Sequence, residues 1–197
     1  DQLFGEWGGD TYVYQPGQGD VIIDAAHPLL NGGNGGGDEV WLKQGLYKPG
    51  TQRDATFAIN RPLQLYGGFV GGETARGQRG TDSRLTVLSG DIDGNDSADA
   101  NGIVLDASDQ SGANSYNVVY LRINSANPTL TRANTVIDGL TITAGRANGG
   151  SAWSGGGGLR CNATDGECSP TLRNITFSGN YASSGGAIYN SGNNGIA

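Results

Sequence analysis

Two stretches of this chain occur twice. IDGLTITAG at 137–145 aligns without gaps to LRNITFSGN at 172–180, a displacement of 35 residues, and GGGLRCN at 156–162 aligns to GGAIYNS at 185–191, a displacement of 29. The difference of six falls in the connection, which is ten residues long at 146–155 and four at 181–184. Strand text that is kept while connections change length is what stacked units require. Each unit must lay its apolar side on the next, but its turns are free to protrude.

The local pattern says which sides those are. In Leu140-Thr141-Ile142 the aliphatics fall on one face of a strand and the threonine on the other, and Ile175-Thr176-Phe177 repeats the arrangement. The apolar faces are expected inside, the threonines outside or at a turn. Asn180, just past the second strand, is placed to bond turn backbone. Glycines before the later strands, at 156–158 and 185–186, suit corners with positive φ. Glycine is 36 of 197 residues, but without the period of three that collagen needs. No segment of ten to fifteen residues carries the apolar spacing of a helix, so a doubly wound α/β sheet lacks its crossovers. The expectation is an all-β right-handed parallel β-helix solenoid with variable loops over residues 38–197, preceded by a turn-rich cap or entry segment at 1–37.

FSGN at 177–180 and GGAIYN at 185–190 resemble the paired FxxN and GGA-aliphatic motifs of bacterial polymorphic outer-membrane protein passengers and related β-helix repeat proteins. VWLKQGLYKP at 40–49, LQLYGGFVGGET at 63–74 and LTVLSGDIDGND at 85–96 are similar to the N-terminal region of secreted members of that class. The resemblance implies an extracellular or outer cell-surface passenger with adhesive or structural duty.

Charge narrows the partners. Nineteen acidic against twelve basic residues give a net charge of -7, and the basic residues are dispersed, which opposes a phosphate-tracking nucleic-acid groove. No apolar run approaches the roughly 20 residues of a membrane-spanning helix. The chain starts at Asp1 and contains no Met, as a processed or excised segment would. Its last residues, Ile196-Ala197, follow GGAIYN closely, so an open strand edge able to pair with further chain or another copy is expected there. Cys161 and Cys168 are spaced to clip one loop in an oxidising compartment, and two thiolates alone are too few for zinc.

Candidate sites are few. Asp91, Asp93, Asn95, Asp96 and Asp99 alternate oxygen ligands around Gly94 and could wrap Ca²⁺, although the EF-hand glutamate is missing, its position being Gly102. The competing reading is a solvated Asx turn. Acids are plentiful and Arg122, Arg132 and Arg160 are conceivable lyase bases, yet none lies in a diagnostic motif. His27, the sole histidine, has no convincing nucleophile partner. Trp7 and Trp153 sit in Gly/Ser-rich surroundings where a ring could stack on a sugar or an interface, whereas Trp41 between Val40 and Leu42 belongs to a core.

The functional expectation is a non-catalytic secreted or cell-surface adhesin, matrix or fibre component presenting loops such as 91–101 and 146–155 on a rigid β-helix. Its partners would be a surface glycan, a protein receptor or neighbouring copies of itself. The alternative is an extracellular polysaccharide lyase or glycoside hydrolase with a groove on that β-helix.

Overall fold

A computed structural model of the chain describes residues 2–3, 11–14, 21–22, 38–60, 62–123, 129–130, 135–163 and 167–192. These hold short strands and no α-helix. In chain order they are β1 (Gln2–Leu3), β2 (Thr11–Tyr14), β3 (Val21–Ile22), β4 (Asp38–Lys43), β5 (Gly45–Tyr47), β6 (Phe57–Ile59), β7 (Leu63–Phe69) and β8 (Thr86–Ser89). They continue as β9 (Val119–Ile123), β10 (Thr129–Leu130), β11 (Val136–Thr143), β12 (Arg146–Ala147), β13 (Leu159–Ala163), β14 (Glu167–Cys168), β15 (Thr171–Ser178), β16 (Tyr181–Ala182) and β17 (Ile188–Gly192). The ladders between them are parallel; antiparallel pairing is confined to two isolated bridges, Asp91 with Asn114 and Ala98 with Val104.

The two repeats reappear as register. Ile137 pairs with Leu172 and Ile142 with Phe177, the displacement of 35; Leu159 pairs with Ile188 and Cys161 with Asn190, the displacement of 29. Parallel pairing at constant offset lays like on like, which builds apolar ladders. Val40, Leu65, Ile137 and Leu172 follow one another across β4, β7, β11 and β15, and Tyr47, Leu88, Ile142 and Phe177 across β5, β8, β11 and β15. On the facing sheet Phe57, Val119, Leu159 and Ile188 do the same. Apart from Ile188, which is 41% exposed at the end of its ladder, these residues meet in one core cluster. Gly156 and Gly185 hold equivalent corners with φ of 71° and 59°, so the two copies share a turn that a larger residue would strain. Asn180 bonds turn backbone, its Nδ2 donating to Ile142 O and its Oδ1 accepting from Gly145 N.

The outer face of β11 departs from expectation. Thr141 is as buried as Leu140 and Ile142, because residues 70–85 fold over it and its Oγ1 donates to Ser83 O at 3.0 Å. Trp41 is buried, but in a separate small cluster with Tyr66 and Phe69, stacked on Phe69 at 4.5 Å.

The right-handed parallel β-helix solenoid does not follow from this pairing. A uniform solenoid adds one strand per turn to each sheet in chain order. Here the seven-stranded sheet runs β2-β4-β7-β11-β8-β5, with β15 also on β11. One edge of β11 takes two strands in tandem, β7 along Val136–Asp138 and β8 along Thr141–Thr143. The order therefore doubles back, and the sheet curls through 285° about an axis into a nearly closed parallel barrel.

The likeness to polymorphic outer-membrane protein passengers fails with the solenoid it implied. So do both functions built on it. An adhesin, matrix or fibre component presenting loops on a β-helix, and a lyase or hydrolase with a groove along one, lack that scaffold. The nominated loops are also tied down: Trp153 stacks on Tyr116, and the carboxylates of 91–99 close turns. Residues 193–197, on which the open C-terminal edge rested, lie outside the described residues, as do His27, Trp7 and Arg132. Of the segment 1–37, β2 joins the main sheet beside β4.

Candidate functional site

The four-stranded sheet runs β17-β13-β9-β6. Alternation along β13 turns Leu159, Cys161 and Ala163 into the core and leaves Arg160 and Asn162 outside, and Val119 and Leu121 on β9 likewise bracket an outward Tyr120. Register then sets Ala58, Tyr120, Arg160 and Tyr189 in one outward row, with Arg122, Asn162 and Ser191 in the next.

Residues from loops complete an aromatic surface over this row. The 3-10 turn Ser151–Trp153 lays the indole of Trp153 on Tyr116 at 5.4 Å, stacked, and edge-on to Tyr120 at 6.5 Å. Arg160 lies over Tyr120 at 5.5 Å and over Tyr189 at 5.9 Å, and its Nη1 donates to Ala152 O, pinning the turn to the sheet. At the other end Arg53 lies over Tyr116 at 4.3 Å. The rings and guanidiniums thus form a continuous array, Arg53, Tyr116, Trp153, Tyr120, Arg160, Tyr189, all half-buried. Gly155 lets the last ring lie on the backbone, since a Cβ there would stand 2.8 Å from the ring of Tyr189. Asn162 Nδ2 donates to the hydroxyl of Tyr120 at 3.2 Å.

Both arginines bond chiefly to carbonyls. Arg53 Nε donates to Asn114 O at 2.9 Å, and its Nη2 to Arg146 O at 3.3 Å and Asn148 Oδ1 at 2.6 Å. The Nε of Arg160 is buried without a partner. No carboxylate of the described residues forms an ion pair with either, whereas Lys48, Arg76, Arg79 and Arg84 each have one.

The five candidate metal ligands take different partners. Asp91 Oδ1 accepts from the N–H groups of Gly94 and Asn95 at 2.8 and 3.2 Å, and Oδ2 stands 3.7 Å from Lys48 Nζ. Asp93 Oδ2 accepts from Ala113 N and from the side chain of Asn95. Asp96 accepts from Ser111 N and Asn114 Nδ2, both at 2.6 Å. Asp99 accepts from Asn101 N and Ile103 N and pairs with Arg84 at 2.7 Å. Burial, reinforced by the charges of Asp91 and Asp93, pushes the Asp96 carboxyl up, against the hydrogen bonds of Ser111 and Asn114. The Ile103 N–H leads those that hold Asp99 low. Among the described residues no group of three or more His, Cys, Asp and Glu side chains is arranged to hold a metal ion.

Cys161 and Cys168 are joined in a disulfide with Cα atoms 6.0 Å apart. Arg122 and Arg160, weighed as bases, share the outward sheet face, and no ion pair among the described residues joins either to the acidic loop. Of the array, Trp153 alone stood out in the sequence as a contact residue. The missed signal is the repeat itself, whose displacement of 29 aligns Arg160 with Tyr189 at an outward position.

No protein family, curated protein or solved structure matches this chain.

Proposed function

We propose that the chain is a non-catalytic extracellular domain that binds saccharide on the outward face of its four-stranded sheet. The observation carrying this reading is the array running from Arg53 through Trp153 to Tyr189. Its rings cluster on the side of the sheet away from the core, so the main hydrophobic cluster does not account for them. Tryptophan, tyrosine and arginine are the side chains that concentrate binding energy at recognition surfaces.

The chemistry of the row favours a sugar over an apolar protein face. Between and beside the rings stand Arg122, Asn162 and Ser191, with no large aliphatic among them. Ring faces stack on the C–H side of a pyranose while planar donors and hydroxyls take its oxygens, a division of labour typical of sites with few, placed polar groups. Strands hold Tyr120 and Tyr189, and Arg160 pins the turn that carries Trp153, so little order has to be gained on binding. The disulfide suits the oxidising space in which such glycans are met.

The test is a glycan array followed by calorimetry and product analysis, on the wild type and on Trp153→Ala and Tyr189→Ala. We expect saccharide binding without cleavage, weakened about tenfold or more in each variant. Shortened or unsaturated products, or unchanged affinity in both variants, would defeat the reading.

A further inference from the structure

We infer that the saccharide taken by this face is acidic, with its carboxylate or sulfate gripped by Arg160; this rests on the saccharide-binding reading above. In a chain with 19 acidic and 12 basic residues, carboxylates to pair with are in excess. Arg76, Arg79 and Arg84 each have one within 2.8 Å. Arg160 has none among the described residues, although it is the arginine set between two tyrosine rings in the middle of a sheet.

The guanidinium is nevertheless held in place. Its Nη1 is anchored by Ala152 O, and it lies over the rings of Tyr120 and Tyr189. The Nε is buried and unpaired, so it cannot reach a ligand. What remains is the terminal end: Nη2, which has no partner among the described residues, and the second hydrogen of Nη1. Two N–H groups on one planar end match the two oxygens of a carboxylate or sulfate. A half-desolvated cation left without its counter-ion is costly, and an anion arriving with the ligand would remove that cost. Arg53 repeats the arrangement at the far end of the array, over Tyr116 and, among the described residues, bonded to neutral oxygens. An acidic oligosaccharide long enough to run along the array would meet both.

The experiment is calorimetry of the whole chain with four probes: an oligogalacturonate, a neutral oligogalactan of the same length, a sulfated oligogalactan and a short oligothymidylate. We expect at least one acidic saccharide to bind about tenfold or more tighter than the neutral one, and Arg160→Gln to bring that ratio close to one, whatever the change in the neutral affinity itself. Adding salt to the wild type should weaken the acidic saccharide and spare the neutral one, a readout that does not depend on the variant folding. Equal binding of acidic and neutral sugars overturns the inference and leaves the saccharide reading standing. Binding of no sugar overturns both. An acidic preference that survives in Arg160→Gln overturns the assignment to Arg160. Oligothymidylate bound as tightly as the acidic sugars would make the array a nucleic-acid surface instead.

Discussion

The guanidinium of Arg79 lies 2.8 Å from the carboxylate of Asp138, with only 15% and 9% of the two side chains exposed. Arg79 comes from the segment that covers the outside of β11, and Asp138 from β11 itself. The arginine also donates to Gly67 O at 3.0 Å, and Asp138 accepts from Asn174 Nδ2 at 2.9 Å. This pair therefore ties three neighbouring strands, β7, β11 and β15, to the covering segment. Removing one partner leaves a buried charge alone, so Asp138→Ala should cost about 3–5 kcal/mol. The double replacement Arg79→Met with Asp138→Leu should cost clearly less than the sum of the single ones. Denaturant melts of the four proteins check this, and additive losses would show that the two side chains do not act as a pair.

Asn117 makes a comparable demand in a neutral setting. Its Nδ2 donates to Gly155 O at 2.8 Å and Gly156 O at 2.7 Å, and the residue is 1% exposed. Those carbonyls belong to the corner that precedes β13 and so to the base of the aromatic array. Asn117→Asp replaces the donor with a carboxylate facing two carbonyl oxygens, and should destabilise more than Asn117→Ala, which costs about 1–3 kcal/mol for unmet buried groups. Thermal melts at neutral pH order the two variants. An aspartate variant as stable as the alanine one would mean that the corner relaxes away from residue 117.

The disulfide closes a short loop beside β13 and β14, with Cys161 and Cys168 both buried. Limiting the unfolded chain over so few residues is worth about 2–3 kcal/mol. The paired replacement Cys161→Ala and Cys168→Ala should lose about that much in a denaturant melt. Adding a reductant should lower the wild-type melting temperature and leave the variant unmoved.

Much of the strand pairing was legible because parallel ladders preserve sequence offsets. Ile137 stands beside Leu172 and Leu159 beside Ile188 at the displacements at which their texts align. The closure of the sheet was not legible. It depends on β7 and β8 sharing an edge of β11, and the segment between them, 70–85, repeats nothing and leaves its mark only through contacts such as Thr141 with Ser83 and Arg79 with Asp138. The acidic loop shows a second limit. Spacing reports which oxygens alternate, not that Ser111 and Ala113, on the returning arm, supply N–H groups to Asp96 and Asp93. The array is illegible for the same reason, since Arg53, Tyr116 and Tyr189 join Trp153 only through contacts between segments distant in the sequence.

The same loop sets an expectation for calcium. A bound ion would draw carboxylate oxygens away from the N–H groups of Gly94, Asn95, Ser111 and Ala113, leaving turn backbone unpaired. Melting curves with Ca²⁺ and with a chelator should therefore coincide. A calcium-dependent rise in melting temperature, lost in Asp93→Asn, would show that the loop rearranges around an ion.

Asp99 and Asp96 should pull the acid limb of the stability curve in opposite directions. Asp99 is held below the ordinary aspartate value, about 3.9, first by the Ile103 N–H and then by Asn101 and Arg84. Because its folded value is depressed, its contribution is fully present above the unfolded value and is lost as the pH falls through the folded one. Asp96 is raised by burial, so its ionised form is disfavoured in the fold. Lowering the pH through its folded value relieves that penalty and adds stability until the unfolded value is passed. The partner Arg84 is 56% exposed and its charge is screened by solvent, so the effect should be modest, but the sign is clear. Wild type should be more stable than Asp99→Asn at neutral pH, and the gap should close below about pH 3.9. Melting both proteins between neutral pH and the acid transition tests this, and a gap that stays constant with pH would place the loss in the turn's geometry rather than in the charge of Asp99.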